Sequence, residues 1–287
     1  MHQIESSELV LNTKGHIYHL DLSPEMLSRK LFVMGDPNRV GEMGQRMDSI
    51  EFDQQNREFR TITGRIGSER VTLLSHGIGT DNIDIVLNEL DALVNVNLET
   101  RIVKEEKTSL QIVRLGTTGA LQKDIELGTI IRSDFAIGLD NLMWFYPRET
   151  LNSELQNTFE TAAHWSSDLP TPYAVQGSSL LKEAYAETPS GITLTSPGFY
   201  GPQGRELRIS SKIKSHIDLA LSMEFKGYRI TNCEMETSGL YGLSNLLGHE
   251  SITLCAAIAN RANGTFLTDH QPVIDKLLDY SIAGLTN

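Results

Sequence analysis

Short runs of branched apolar residues recur along the chain: LFVM from Leu31, VTLL from Val71, QIVRL from Gln111, TIIR from Thr129, GITLT from Gly191 and SITLCAAIA from Ser251. These predict β-strands. Between them, DNIDIVLNELDALV from Asp81 places Ile83, Val86, Leu87, Leu90 and Val94 at near-helical spacing. The polar residues ahead of that stripe suit a capped helix start. A second helix is expected from about Glu234 to Leu247, closed by Gly248 in a left-handed cap. Strands alternating with helices predict an α/β fold with a central, largely parallel or mixed sheet flanked by helices. The polar stretch ETRIVKEEKTS, residues 99–109, reads as an exposed excursion before a strand.

The 287 residues are 39% hydrophobic and 22% charged, enough for a buried core. No repeat, low-complexity tract or Pro/Gly/Ser linker divides the chain, so one domain over residues 1–287 is expected. The net charge of −12 argues against a general nucleic-acid surface or a basic membrane-facing surface, and an anionic ligand would need a local arginine cluster. The start, MHQIESSELV, lacks a basic segment followed by an apolar one, and no run approaches the ~20 apolar residues of a membrane span. A cytoplasmic protein is expected. Cys233 and Cys255 lack metal-ligand spacing and are expected to be reduced structural thiols; no metal is predicted.

Five segments carry candidate chemistry. In VMGDPNRV an apolar strand ends at Gly35, and Arg39 follows across a proline-containing turn. Glycine admits close backbone approach to an anion and arginine offers a planar donor fork, but the same string also suits a plain turn with a surface arginine. In QIVRLGTTGAL, Arg114 lies near the end of a strand, and Thr117 and Thr118 follow between Gly116 and Gly119 as a concave run of donors. A charge inside an apolar strand must be met, so a carboxylate or a bound anion should face Arg114. SHGIGTDN is a glycine turn without the third glycine of a dinucleotide fingerprint or the lysine of a P-loop. SPGFYGPQGREL presents an aromatic at Phe199, an amide at Gln203 and a guanidinium at Arg205, a set suited to a planar heterocycle bearing carbonyls and an N–H. NCEMETSGL places Glu234 and Glu236 around Met235; paired carboxylates can serve as an acid/base couple, bind hydroxyls or stabilise a helix start.

GDPNR, RLGTTGAL, FYGPQGR, CEMET and AAIANR, in this order and across nearly the whole chain, resemble the motifs of the nucleoside phosphorylase family. The resemblance implies a pentosyltransferase that reversibly cleaves uridine with phosphate to uracil and ribose 1-phosphate, without a cofactor beyond that co-substrate. It implies phosphate binding by Gly35, Arg39, Arg114 and Thr117, with Arg57 donated by a neighbouring subunit. Ribose would be held by Met235 and Glu236 with a neighbour's His19. Uracil would lie over Thr118 and Gly119, between Phe199 and Ile258, with Gln203 reading O2 and N3 and Arg205 reading O4; Arg114, Arg205 and Glu236 would be catalytic. Purine-specific relatives place an aspartate shortly after the strand that ends the site, whereas no acid follows Ile258 in AAIANRANG. Shared sites imply a homodimer, often assembled into a hexamer. A purine phosphorylase or hydrolase and a non-catalytic nucleoside sensor are the alternatives. His76 and the Thr195-Ser196-Pro197 run depart from the uridine-cleaving pattern, and the segment Val94 to Leu110 is longer. Where some relatives hold a monovalent cation with a glutamate matching Glu58, the partnering serine is Asn82, so no ion is predicted there.

Overall fold

The computed structural model describes residues 3–286. In chain order the first half contains β1 (Lys30–Met34), α1 (Pro37–Gly44), β2 (Ser49–Asn56), β3 (Phe59–Ile66), β4 (Glu69–Ser75), α2 (Thr80–Asn95), β5 (Val96–Asn97), β6 (Ile102–Val103), β7 (Gln111–Ala120) and β8 (Ile130–Gly138). The second half contains α3 (Ser153–Ala162), β9 (Tyr173–Gln176), α4 (Ser179–Ala184), β10 (Ser190–Thr195), α5 (Lys214–Ala220), β11 (Glu224–Phe225), β12 (Tyr228–Glu234), α6 (Thr237–Leu247), β13 (Glu250–Asn260), β14 (Thr265–Phe266) and α7 (Gln271–Thr286). All six apolar runs are strands, and the sheet is mixed, as expected. β1 runs parallel to β4 and β7, and β7 parallel to β13, whereas β8 is antiparallel to β13 and parallel to β10. β10 continues parallel to β12, and β12 returns to β7 through antiparallel pairs Asn232–Ala120 and Cys233–Gly119. That last pairing closes β7, β13, β8, β10 and β12 into a ring, so the carboxyl ends of β7, β12 and β13 converge. β2, β3 and β4 extend the open side.

The core lies on both sides of this sheet. One apolar cluster joins β1, β4 and β7 to α1, α2 and α7; a second sits under α3 and α5 against β10 and β12. In α2 the buried stripe is Ile83, Val86, Leu87, Leu90 and Leu93; Val94, expected on it, is half-buried at its edge. Continuing a 3.6-residue period from Leu90 reaches Leu93 as readily as Val94. The start of α2 also differs from expectation. Its N-cap is Gly79 with no side-chain cap of its own, and Gly79 N donates instead to the Glu236 carboxylate at 2.8 Å. Gly248 does close α6 with φ of 76°.

Three local readings are corrected. The GDPNR proline opens a helix: Asp36 caps it, accepting from Asn38 N at 2.8 Å, and Pro37 occupies the first turn, where its missing N–H costs nothing. RLGTTGAL is not a loop of donors after a strand. β7 continues through it to Ala120 because Thr117 and Thr118 pair with β13 and Gly119 with both β13 and β12. Glu234 belongs to the end of β12, so the following helix begins at Thr237. The segment 99–109 is exposed for most of its length, though Ile102 and Val103 pair back onto β5. No helix among the described residues is long and apolar enough to cross a membrane.

Candidate active site

A cleft of about 940 Å³ opens where β1, β4, β7, β12 and β13 end, the position at which open α/β sheets hold ligands. It is lined by twelve of the expected residues: Gly35, Arg39, Arg114, Thr117, Thr118, Gly119, Phe199, Gln203, Arg205, Met235, Glu236 and Ile258. The two remaining, His19 and Arg57, lie outside it but beside each other. The Asn56 amide donates to the His19 carbonyl at 2.8 Å, and the Arg57 guanidinium lies 5.7 Å from the centre of the Tyr18 ring. His19 Nδ1 is 2.5 Å from Glu89 of α2. Arg57 occupies the turn between β2 and β3 with φ of 55°.

Arg114 is buried, and of the two expected answers to its charge, a carboxylate or a bound anion, carboxylates are present. Nη1 donates to Glu234 at 2.9 Å and Nη2 to Glu236. Burial opposes its charge, but the two carboxylates prevail and raise its pKa. β7 can hold this side chain because residue 116 is glycine; a Cβ there would stand 2.6 Å from Nη1. The two glutamates divide the roles that their spacing left open. Glu234 accepts from Thr237 N at 3.0 Å, Glu236 N at 3.0 Å and Thr195 Oγ1 at 2.7 Å, and so ties the start of α6 to β10. Both glutamates line the cleft, and Glu236 also caps α2 through Gly79. Its burial and the nearby Glu234 raise its carboxyl pKa while Arg114 opposes them, with burial the largest cause and the net direction upward.

Arg39, on the first turn of α1, has a different environment. It is half-buried and makes no ion pair or hydrogen bond among the described residues, and it stands near enough to Arg114 to feel its charge. Burial, more than that repulsion, depresses its pKa. The charges of Asp36 and Glu42 offset part of this, but neither carboxylate pairs with Arg39 directly, and a guanidinium withdrawn from water without a direct ion pair suits an anion from outside the chain. The Thr117 hydroxyl, also in the cleft, makes no hydrogen bond among the described residues. The Thr118 hydroxyl, by contrast, donates to the Cys233 carbonyl at 2.7 Å and accepts from Asn232 at 2.8 Å, which fastens β7 to β12.

In the segment after β10, Gln203 is buried and Arg205 stacks its guanidinium 3.8 Å from the centre of the Phe199 ring. Nη1 of Arg205 donates to the Phe199 carbonyl at 2.8 Å and to Gln203 Oε1. The Phe199 face read as a stacking platform therefore carries Arg205. Ile258 is the extra residue of a β-bulge between Ala257 and Ala259, and such a bulge re-aims a side chain out of register. Asn260, two residues on, has its amide committed to the Gln122 and Ile125 carbonyls at 2.9 and 2.7 Å.

Several lining residues escaped the sequence reading. Arg261 donates to Cys233 Sγ at 3.4 Å and packs over Gly119; its signal was its place in the AAIANR string. Phe266 enters through β14, a two-residue strand with no periodic signature. Glu58 and Asn82, the pair considered for a cation in the sequence, also line the cleft, with the Asn82 amide donating to Glu58 at 3.4 Å.

Residues 29–279 match the family model for the phosphorylase superfamily. The uridine phosphorylase of Thermococcus kodakarensis is 28% identical over 265 residues, covering 91% of this chain and 83% of that protein. That of Haemophilus influenzae is 27% identical over 248 residues, covering 85% and 86%. A solved Trypanosoma brucei nucleoside phosphorylase, described as showing uridine phosphorylase activity, has a TM-score of 0.87 and 26% identity over 97% of this chain and 99% of that one. The matched span contains every residue of the cleft, and the chain belongs to the phosphorylase superfamily.

Proposed function

We propose that the protein is a uridine phosphorylase, cleaving uridine with inorganic phosphate to uracil and ribose 1-phosphate in a reversible reaction that needs no cofactor. The observation that carries this reading is that one cleft brings together Arg114, a nearby Arg39 without an ion-pair partner among the described residues, and the Gln203–Arg205 reader. Phosphate on Arg39, Arg114 and Thr117, near Gly35, would stand below C1′ and attack it on the face opposite the base. Fixing both reactants in one cleft supplies a large part of the rate gain. As the C1′–N1 bond breaks, positive charge grows on the ribose, and Glu236 offsets it while orienting the hydroxyls above Met235. Negative charge grows on the pyrimidine, where Gln203 and Arg205 donate to the carbonyl oxygens more strongly than in the ground state. The departing uracil anion takes its proton from solvent. A purine leaving group would favour an acid near N7, and after Ile258 the chain offers Asn260, whose amide is already committed.

The test is ultraviolet-monitored cleavage of uridine, thymidine and inosine with and without phosphate. Uridine loss that requires phosphate supports the proposal. Preference for inosine indicates a purine enzyme, phosphate-independent cleavage a hydrolase, and binding without turnover a sensor.

The proposal includes a homodimer with shared sites, in which Arg57 and His19 of each subunit serve the other. Their common patch outside the cleft suits one continuous contact surface. Arg57→Ala and Arg205→Ala are each expected to be inactive alone, but co-expressed they should recover about a quarter of wild-type activity, because one site in each mixed dimer is intact. Activity of the mixture no higher than that of the single variants would exclude shared sites.

A further inference from the structure

His76 follows β4 in the turn to α2, is fully buried and does not itself line the cleft. Its Nε2 lies 3.3 Å from Nε of Arg114, which donates to it. An arginine Nε can only donate, so Nε2 carries the lone pair and the ring is the neutral Nδ1–H tautomer. Nδ1 finds no hydrogen-bond partner among the described residues. Burial, then Arg114 and Arg39, hold the pKa of the ring well below its ordinary value, so the lone pair stays available.

The contacts of Arg114 show why this acceptor matters. Of the five N–H bonds of the guanidinium, Nε points to His76, Nη1 to Glu234 and more weakly to Cys255 Sγ at 3.6 Å, and one Nη2–H to Glu236. One Nη2–H remains for a ligand. The two glutamates hold only the outer nitrogens, both from the β12–α6 side. A third contact at Nε, from the β4–α2 side, sets the plane of the group and so the direction of the remaining N–H. The acceptor must also be uncharged. Glu234 and Glu236 already outweigh the charge of Arg114, and a third carboxylate would repel an entering phosphate. A protonated imidazole would have no lone pair to offer.

We infer that His76 is a positioning residue for phosphate, acting through Arg114 as a neutral acceptor that aims its free N–H at the anion. This rests on the phosphate site proposed above.

The experiment compares steady-state kinetics of wild type, His76→Leu, His76→Gln and His76→Asn, varying phosphate and uridine separately. Gln can bring an amide oxygen to the position of Nε2, Asn reaches only as far as Nδ1, and Leu fills the space without an acceptor. The expected result is a rise in the KM for phosphate of about 10-fold or more in the Leu and Asn variants, the scale of a lost hydrogen bond to a charged group. The KM for uridine should stay within about twofold and the Gln variant should lie near wild type. If the Leu variant does not fold, the Gln–Asn pair decides alone. Equal rises in both KM values, a Gln variant as defective as Asn, or unchanged phosphate KM in every variant would overturn the inference while leaving a phosphate-dependent wild type, and so the proposed function, intact. A wild type indifferent to phosphate would remove both.

Discussion

Replacing Arg205 with alanine is expected to lower kcat for uridine cleavage by at least ~10²-fold, the scale of a missing donor to a developing oxyanion. Arg205 has no carboxylate partner among the described residues; it is oriented by the Phe199 ring at 3.8 Å, the Phe199 carbonyl at 2.8 Å and Gln203. Those contacts hold the fork in place before substrate arrives, so little reorganisation is needed when charge appears on the uracil carbonyl. Burial, with Arg261 adding a smaller repulsion, lowers its pKa, and that partial dehydration strengthens its hold on an incoming anion. Lysine at this position should recover little, because a point charge neither stacks on Phe199 nor spans the amide oxygen and the substrate together. The phosphate KM should be nearly unchanged, since the phosphate ligands proposed above, Arg39, Arg114 and Thr117, do not include Arg205. A variant turning over at a near-normal rate in the ultraviolet assay would show that Arg205 is not the group stabilising the leaving base.

The second large effect is on stability. Arg114→Met should lower unfolding free energy by about 3–5 kcal/mol, because it leaves Glu234 and Glu236 buried without their cation. Both carboxylates are almost inaccessible to solvent and face the same guanidinium. Glu234 also holds the start of α6 and Glu236 the start of α2, so their repulsion would be transmitted to both helices. A urea titration reads this as a lower midpoint at unchanged slope. Adding Glu236→Gln in the same chain should recover part of the loss by removing one uncompensated charge, while phosphorolysis stays absent. An unchanged midpoint for Arg114→Met would mean that the triad contributes nothing net to the fold.

How far the site was legible in the sequence varies from residue to residue. Arg114 announced itself: a charge in the run QIVRL has to be answered, and Glu234 and Glu236 answer it. Arg39 was visible as an arginine after a strand-ending glycine, yet its lack of an ion-pair partner among the described residues, on which its proposed anion-binding role rests, depends on how the nearby carboxylates are placed in three dimensions. The residues alone did not separate Thr118 from Thr117; only the family resemblance assigned one to the base and the other to phosphate. Their division into a fastener and a free hydroxyl follows from β12 returning to β7, a pairing between residues more than a hundred positions apart. His76 looked like a departure within a turn, and its contact with Arg114 spans 38 positions.

The sequence by itself determined the strands and helices with strong apolar periodicity, the mixed α/β architecture and the residue types of the cleft. Such features depend on neighbours a few positions away, where the 2- and 3.6-residue periods operate. Only the tertiary structure decided that β7 runs on through its glycines, that a bulge turns Ile258 out of register, that Glu236 caps α2 from across the molecule, and that His19 and Arg57 stand together outside the cleft. Each of these is the outcome of competition among distant partners for the same backbone groups and charges, and no local window contains those competitors.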